Sequence, residues 1–109
     1  MDIKDQILCC AIDYITINLN RKITLQDLRV HTSYSARALQ LKFKKYLNQT
    51  PFEYIEEQRL LKAYELIKHY KQSMQIKVVA YEVGFRHLGR FSERFKKRFG
   101  ISPLHLAKL

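Results

Sequence analysis

Two short strings, Phe43-Lys44-Lys45 and Phe95-Lys96-Lys97, each place paired ammonium groups directly after an aromatic ring. Both lie inside runs of bases, with Arg37 upstream of the first and Arg90 and Arg94 upstream of the second. Lysine and arginine are hydrogen-bond donors with no acceptor, so clusters of them suit phosphate oxygens, and arginine also suits the acceptor edges of bases. Other chemistries find little support. No nucleophile elbow, P-loop, paired-carboxylate or metalloenzyme motif occurs, so no enzymatic activity is expected. Cys9 and Cys10 are adjacent, a poor disulfide pair, and no further cysteine supplies a zinc set. His31, His69, His87 and His105 share no ligand spacing. Neither a metal nor a cofactor is expected.

The charge is concentrated. The 109 residues hold 20 Lys+Arg against 10 Asp+Glu, for a formal net charge of +10. Residues 1–34 and 51–85 each balance to zero. Residues 35–50 carry Arg37, Lys42, Lys44 and Lys45 with no acid, and residues 86–109 carry seven bases against Glu93 alone. A solvated basic surface would spread its charge; confinement to two blocks is the footprint of a protein that binds a polyanion.

The two blocks are copies. LQLKFKKYLNQTP (39–51) aligns with FSERFKKRFGISP (91–103) at an offset of 52, pairing Leu39/Phe91, Phe43/Phe95, Leu47/Phe99, Thr50/Ser102 and Pro51/Pro103. Upstream the offset is 51, pairing Leu25/Ile76, Leu28/Val79, Ser33/Gly84 and Tyr34/Phe85, so the second turn has one extra residue. Each copy reads as two helices and a tight turn, the helix-turn-helix pattern. Thr24 starts T-x-x-D, a helix N-cap, and Ser35 caps the next helix. Leu39, Phe43 and Leu47 form the buried stripe of the first basic helix; Leu88, Phe91, Phe95 and Phe99 form that of the second. The phenylalanines are therefore core, not stacking platforms for bases. Ser33 stands at the first turn, which is tolerable with a negative φ.

Opposite each stripe lie the residues that can read DNA. Arg37, Gln40 and Leu41 on the first helix, and Gly89, Arg90 and Glu93 on the second, are expected to meet base edges. Ser35, Lys44, Lys45, His87, Arg94, Lys96 and Lys97 are expected to meet phosphates. Leu41 suits a thymine methyl. Glu93 can accept from a cytosine amino group or pair with Arg90 or Lys97, and the sequence leaves both open. Between the copies, Thr50-Pro51-Phe52-Glu53 opens a helix that continues to about Tyr70 without Gly or Pro. Twenty residues span roughly 30 Å, near the roughly 34 Å pitch of B-DNA. The expected organisation is a first helix-turn-helix subdomain over 1–50, a linker helix over 51–70 and a second subdomain over 71–109.

The string IKVVAYEVGF (76–85), followed by FSERFKKRFGISP (91–103), resembles the signature of AraC/XylS-type transcription regulators. Tyr34-Ser35, Leu39, Phe43-Lys44-Lys45 and Thr50-Pro51 match the first helix-turn-helix of that family, and Arg59 and Ala63 its linker helix. The resemblance covers essentially the whole chain. It implies an all-α fold of about seven helices, a homeodomain-like tandem that binds asymmetric sites in double-stranded DNA as a monomeric unit. It also implies regulation of transcription, often activation through RNA polymerase. Leu41 and Glu93 stand where the family often has arginine, Arg29 where it usually has a small residue, and Leu106-Ala107 where it ends on an aromatic-basic pair, which predicts a shortened last helix.

Several readings remain open. A non-specific architectural nucleic-acid-binding protein would use the same charge without reading bases. The chain fits either a short stand-alone regulator of the MarA/SoxS kind or the DNA-binding domain of a longer, ligand-responsive protein. No run of 18 apolar residues is present, so no membrane partner is expected. An acidic N-terminal stretch with no small-residue cleavage site, and two thiols without a partner set, point to the cytoplasm, where the DNA-binding reading would place the chain on the bacterial nucleoid.

Overall fold

In the computed structural model, residues 5–109 are described; the first four, part of the neutral opening segment and of the expected first subdomain, lie outside the described residues. The described chain is all-helical: α1 (Gln6–Ile17), α2 (Leu25–Thr32), α3 (Ala36–Leu47), α4 (Pro51–Tyr70), a 3-10 turn (Lys71–Ser73), α5 (Ile76–Glu82), α6 (Leu88–Phe99) and α7 (Pro103–Lys108). It divides into two compact units that meet within α4, one ending at Glu56 and the other running Glu57–Leu109.

Short polar side chains start most of these helices by satisfying N–H groups that have no carbonyl one turn back. Asp5 accepts from the N–H groups of Ile7 and Leu8, each at 3.0 Å, at the head of α1. Thr24 and Asp27 exchange bonds of 3.1 and 2.8 Å in a capping box that opens α2. Thr50 and Glu53 do the same at α4, with Pro51 as the first helical residue. At α7 the Ser102 hydroxyl accepts from His105 N–H at 3.1 Å, again with Pro following. Thr50-Pro51 and Ser102-Pro103 are repeat equivalents, so the same device starts the helix after each basic helix.

In the first unit Leu8, Ala11 and Ile15 of α1, Leu28 of α2, and Leu39 and Phe43 of α3 share one buried core with Ile55 of α4. Tyr54 meets Phe43 edge-on at 5.7 Å. In the second, Leu60, Ala63 and Ile67 of α4 join Val79, Val83, Phe91, Phe95 and Leu106. α4 therefore serves two cores in succession, Ile55 belonging to the first and the residues from Leu60 onward to the second. Phe91 and Phe95 are fully buried, and Phe99 packs against them half-buried, 4.7 Å from Phe95.

Two expectations fail. Leu88, assigned to the buried stripe, is 46% exposed, because as the first residue of α6 it lies a turn ahead of the packed aromatic rings. Ser33 adopts φ +63°, the left-handed conformation, rather than a negative φ. Its N–H donates to Arg29 O at 2.8 Å, the last bond of α2, and the left-handed residue then turns the chain out of the helix toward α3. Arg29 is exposed and takes Gln26 Oε1 at 3.0 Å, leaving buried Leu28 and Leu39 to supply the contact between α2 and α3. α7 is short, at six residues.

Candidate nucleic-acid interface

In the first unit, α3 turns its apolar stripe inward and exposes Arg37, Gln40, Leu41, Lys44 and Lys45. Leu41 sits two residues from both Leu39 and Phe43, hence roughly opposite each at ~100° per residue, and it is 56% exposed. Ser35, also exposed, is the N-cap of α3: its hydroxyl accepts from Ala38 N–H at 3.2 Å and retains its own proton to donate outward. Beside it a shallow groove of about 360 Å³ is lined by Gln26, Arg29, Val30, Ser33 and Tyr34.

In the second unit α6 exposes Gly89, Arg90, Glu93, Lys96 and Lys97, and Arg94 is half-buried on its flank. His87 occupies the N-cap position equivalent to Ser35, but its exposed side chain makes no capping bond. The first N–H groups of α6 thus have no side-chain partner of their own, and at Gly89 no side chain screens them. Within 4 Å of the place where a Cβ on Gly89 would stand there is nothing, so internal packing does not require glycine there. Glu93 forms no ion pair with Arg90 or Lys97 among the described residues.

The structure also sorts the bases, which sequence counting could not. Lys42 Nζ lies 2.6 Å from Asp5 Oδ2, tying α3 to the cap of α1. That bond, with the N–H groups of Leu8 and Ile7, holds the Asp5 carboxyl below its ordinary value, and the same bond raises the Lys42 ammonium. Arg98 Nε donates to both oxygens of Glu57 at 2.8 and 3.0 Å and stands 4.9 Å from the Phe99 ring. Arg86 lies 4.5 Å over the Tyr81 ring and reaches the Tyr81 and Phe85 carbonyls at 3.4 Å. None of these three is among the residues expected to meet DNA; each holds its own unit together. Ser92, the equivalent of Gln40 at the offset of 52, is half-buried on the flank of α6 and is not among the expected site residues. The repeat itself is the signal that could have found it.

Each basic helix is therefore an apolar stripe fixed in a core and a solvent-facing row of cations around one residue of different character, Leu41 or Glu93. An α-helix of that kind fits the major groove, where cations meet phosphates and the outermost residues meet base edges. A helix-turn-helix domain family matches residues 30–108. The chain belongs to the AraC-type helix-turn-helix family. Members of this family are DNA-binding transcription regulators, not enzymes. One relative, the XylDLEGF operon transcriptional activator 2 of Pseudomonas putida, is 32% identical over 94 residues, covering 85% of this chain and 60% of the activator. The chain thus spans less than two thirds of that relative. A transcriptional regulator from Chromobacterium violaceum with an AraC-type DNA-binding domain superposes with a TM-score of 0.85 at 26% identity, covering 94% of this chain and 89% of that one. The DNA-binding domain of AdpA, solved in complex with a target DNA, gives a TM-score of 0.86 at 20% identity over 95% of this chain and 92% of that one.

Among the described residues no helix is long and apolar enough to cross a membrane, and no group of three or more His, Cys, Asp or Glu side chains is arranged to hold a metal. Cys9 and Cys10 are half-buried on α1 and form no disulfide.

Proposed function

We propose that the chain is a sequence-specific, double-stranded DNA-binding transcription regulator, acting as an activator through RNA polymerase. One observation carries this reading: two repeat-equivalent helices each bury an apolar stripe and expose bases on the opposite side, Arg37, Lys44 and Lys45 on the first and Arg90, Lys96 and Lys97 on the second. Arg37, Gln40, Leu41, Gly89, Arg90 and Glu93 read base edges; Ser35, Lys44, Lys45, His87, Arg94, Lys96 and Lys97 hold phosphates. The two helices enter successive major grooves, and a single chain is the DNA-binding unit. The activator role is drawn from the name of the P. putida relative, and DNA as ligand is supported by the AdpA complex. Such a regulator works in the cytoplasm, on the nucleoid.

Competition between a selected site and random duplex tests the reading. Specific regulators prefer their site by ~10³-fold or more; equal binding would make the chain an architectural protein instead. Arg90→Ala should relax sequence preference at one position, whereas Lys97→Ala should weaken all duplexes alike. Equal losses on specific and random DNA in both variants would overturn the division between reading and holding. Footprinting that protects a single groove would overturn the two-groove arrangement.

A further inference from the structure

We propose that Glu93 makes the second reading helix select a cytosine and that its repeat equivalent, Leu41, makes the first select a thymine, so that the operator has a direction. This rests on the DNA-reading role above and names the bases read. Both residues are exposed at the outermost position of their helices, diametrically opposite buried phenylalanine or leucine. Glu93 is the one acid among residues 86–109 and has no ion pair with Arg90 or Lys97 among the described residues. A carboxylate in a groove walled by phosphates is repelled unless a donor meets it. Cytosine alone presents an amino donor without an acceptor on its own major-groove edge. Adenine N7, guanine N7 and O6, and thymine O4 would each oppose lone pair to lone pair. Glu93 therefore accepts from cytosine N4 and discriminates against the other three bases.

Leu41 offers neither donor nor acceptor, and left against polar base edges it would desolvate them without return. The thymine methyl is the apolar group that the groove provides. The two copies thus keep the same core and differ in what their outermost residue requires. A duplex read by both must present a methyl to one copy and an amino group to the other.

Chemically altered duplexes test this with the full chain. Sites are first selected from a random pool, and each half-site is assigned to α3 or α6 by footprinting. Replacing the selected cytosine by 2-pyrimidinone, which lacks the amino group, should weaken binding roughly tenfold. Replacing the selected thymine by deoxyuridine should weaken it about fourfold, the value of one buried methyl. Glu93→Ala should be indifferent to the first change and Leu41→Ala to the second. The exchange Leu41→Glu with Glu93→Leu should reverse which half-site prefers cytosine. Both positions are exposed, and helical circular dichroism with a cooperative melt confirms that each variant folds. Specific binding that ignores the amino group, or a half-site at α6 without cytosine, overturns the inference and leaves the DNA-reading role standing. Selection that enriches no sequence at all overturns both.

Discussion

Replacing Gly89 by alanine should make the protein more stable and a poorer DNA binder. Gly89 is the second residue of α6, and a Cβ built there meets nothing within 4 Å. Alanine therefore introduces no clash, and its gain comes from the smaller conformational freedom it has to lose on folding. At a compatible site that gain is about 0.4–1 kcal/mol, a rise of roughly 2–6 °C in the melting temperature of a unit this small. Thermal unfolding by circular dichroism reads it directly. Binding should move the other way. The N–H groups of the first turn of α6 have no side-chain cap, and glycine lets a base edge or phosphate approach them closely. A methyl in that approach lengthens or removes one hydrogen bond of ~1–1.5 kcal/mol net, about tenfold in affinity by fluorescence anisotropy. A stabilised variant with unchanged affinity would show that the first turn of α6 does not face DNA. A destabilised variant would show that a side chain at position 89 does collide with its own fold.

Ser33→Gly should stabilise the first unit, because a left-handed L-residue costs roughly 1–2 kcal/mol and the extra freedom of unfolded glycine takes back about 0.4–1 kcal/mol; an unchanged or lower melting point would mean that the Ser33 side chain is itself needed. Phe95→Ala, at a fully buried ring, should remove about 3–5 kcal/mol and unfold the second unit; a variant with intact heat-induced cooperativity in that unit would contradict the core described. Asp5, Asp27 and Glu53 are held below their ordinary values of 3.8, 3.8 and 4.5, first by the Lys42 ammonium for Asp5 and by the Thr24 and Thr50 N–H groups for the others. With lowered values in the fold, their stabilisation is complete above those ordinary values and is lost as pH falls through the lowered ones, so acid unfolding of Asp5→Asn should follow a shallower pH slope than that of the parent. Lys97→Ala should reduce the salt slope of DNA binding by about 0.9, whereas Lys42→Met should leave the slope intact; equal changes would place Lys42 on the phosphates.

Much of this architecture can be read from the sequence because its signals are local. Thr24 with Asp27 and Thr50 with Glu53 announce helix starts within four residues, and both pairs form their reciprocal bonds. Leu39 and Phe43, and Phe91 and Phe95, recur at one helical turn and are buried. The misreadings arise where the outcome depends on something distant or on backbone closure. Leu88 has the right period, but the first turn of α6 extends past the packed rings. Ser33 by its own type gives no hint of a positive φ, and only its repeat partner Gly84 does; the requirement comes from ending α2 and starting α3 within a few residues. The partners of Lys42 and Arg98 lie 37 and 41 residues away. A local charge count therefore credits the first block with one more DNA-facing cation, Lys42, and the second with two more, Arg86 and Arg98, than their geometry supports.

The two copies of the unit work as an internal control. Where the chain must turn left-handed after a helix, the first copy has Ser33 and Asn48, at φ +63° and +55°, and the second has Gly84 and Gly100, at +103° and +74°. The backbone requirement is the same in both, so the residue type is free to vary only as far as φ allows. Inside, Leu39 and Phe91 fill equivalent buried places with different volumes. Outside, Lys44 and Lys45 recur as Lys96 and Lys97, but the row beside them differs: Arg37 against Gly89, Leu41 against Glu93, and the capping Ser35 against the non-capping His87. Divergence limited by backbone geometry and core volume, but unconstrained on one solvent-facing row, is expected when two copies of one scaffold meet different ligand surfaces. An architectural protein that contacts only phosphates would have no use for an acid at the outermost point of one helix and a leucine at that of the other. The contrast between these two positions, more than the total charge, favours a protein that reads an asymmetric sequence over one that merely coats a duplex.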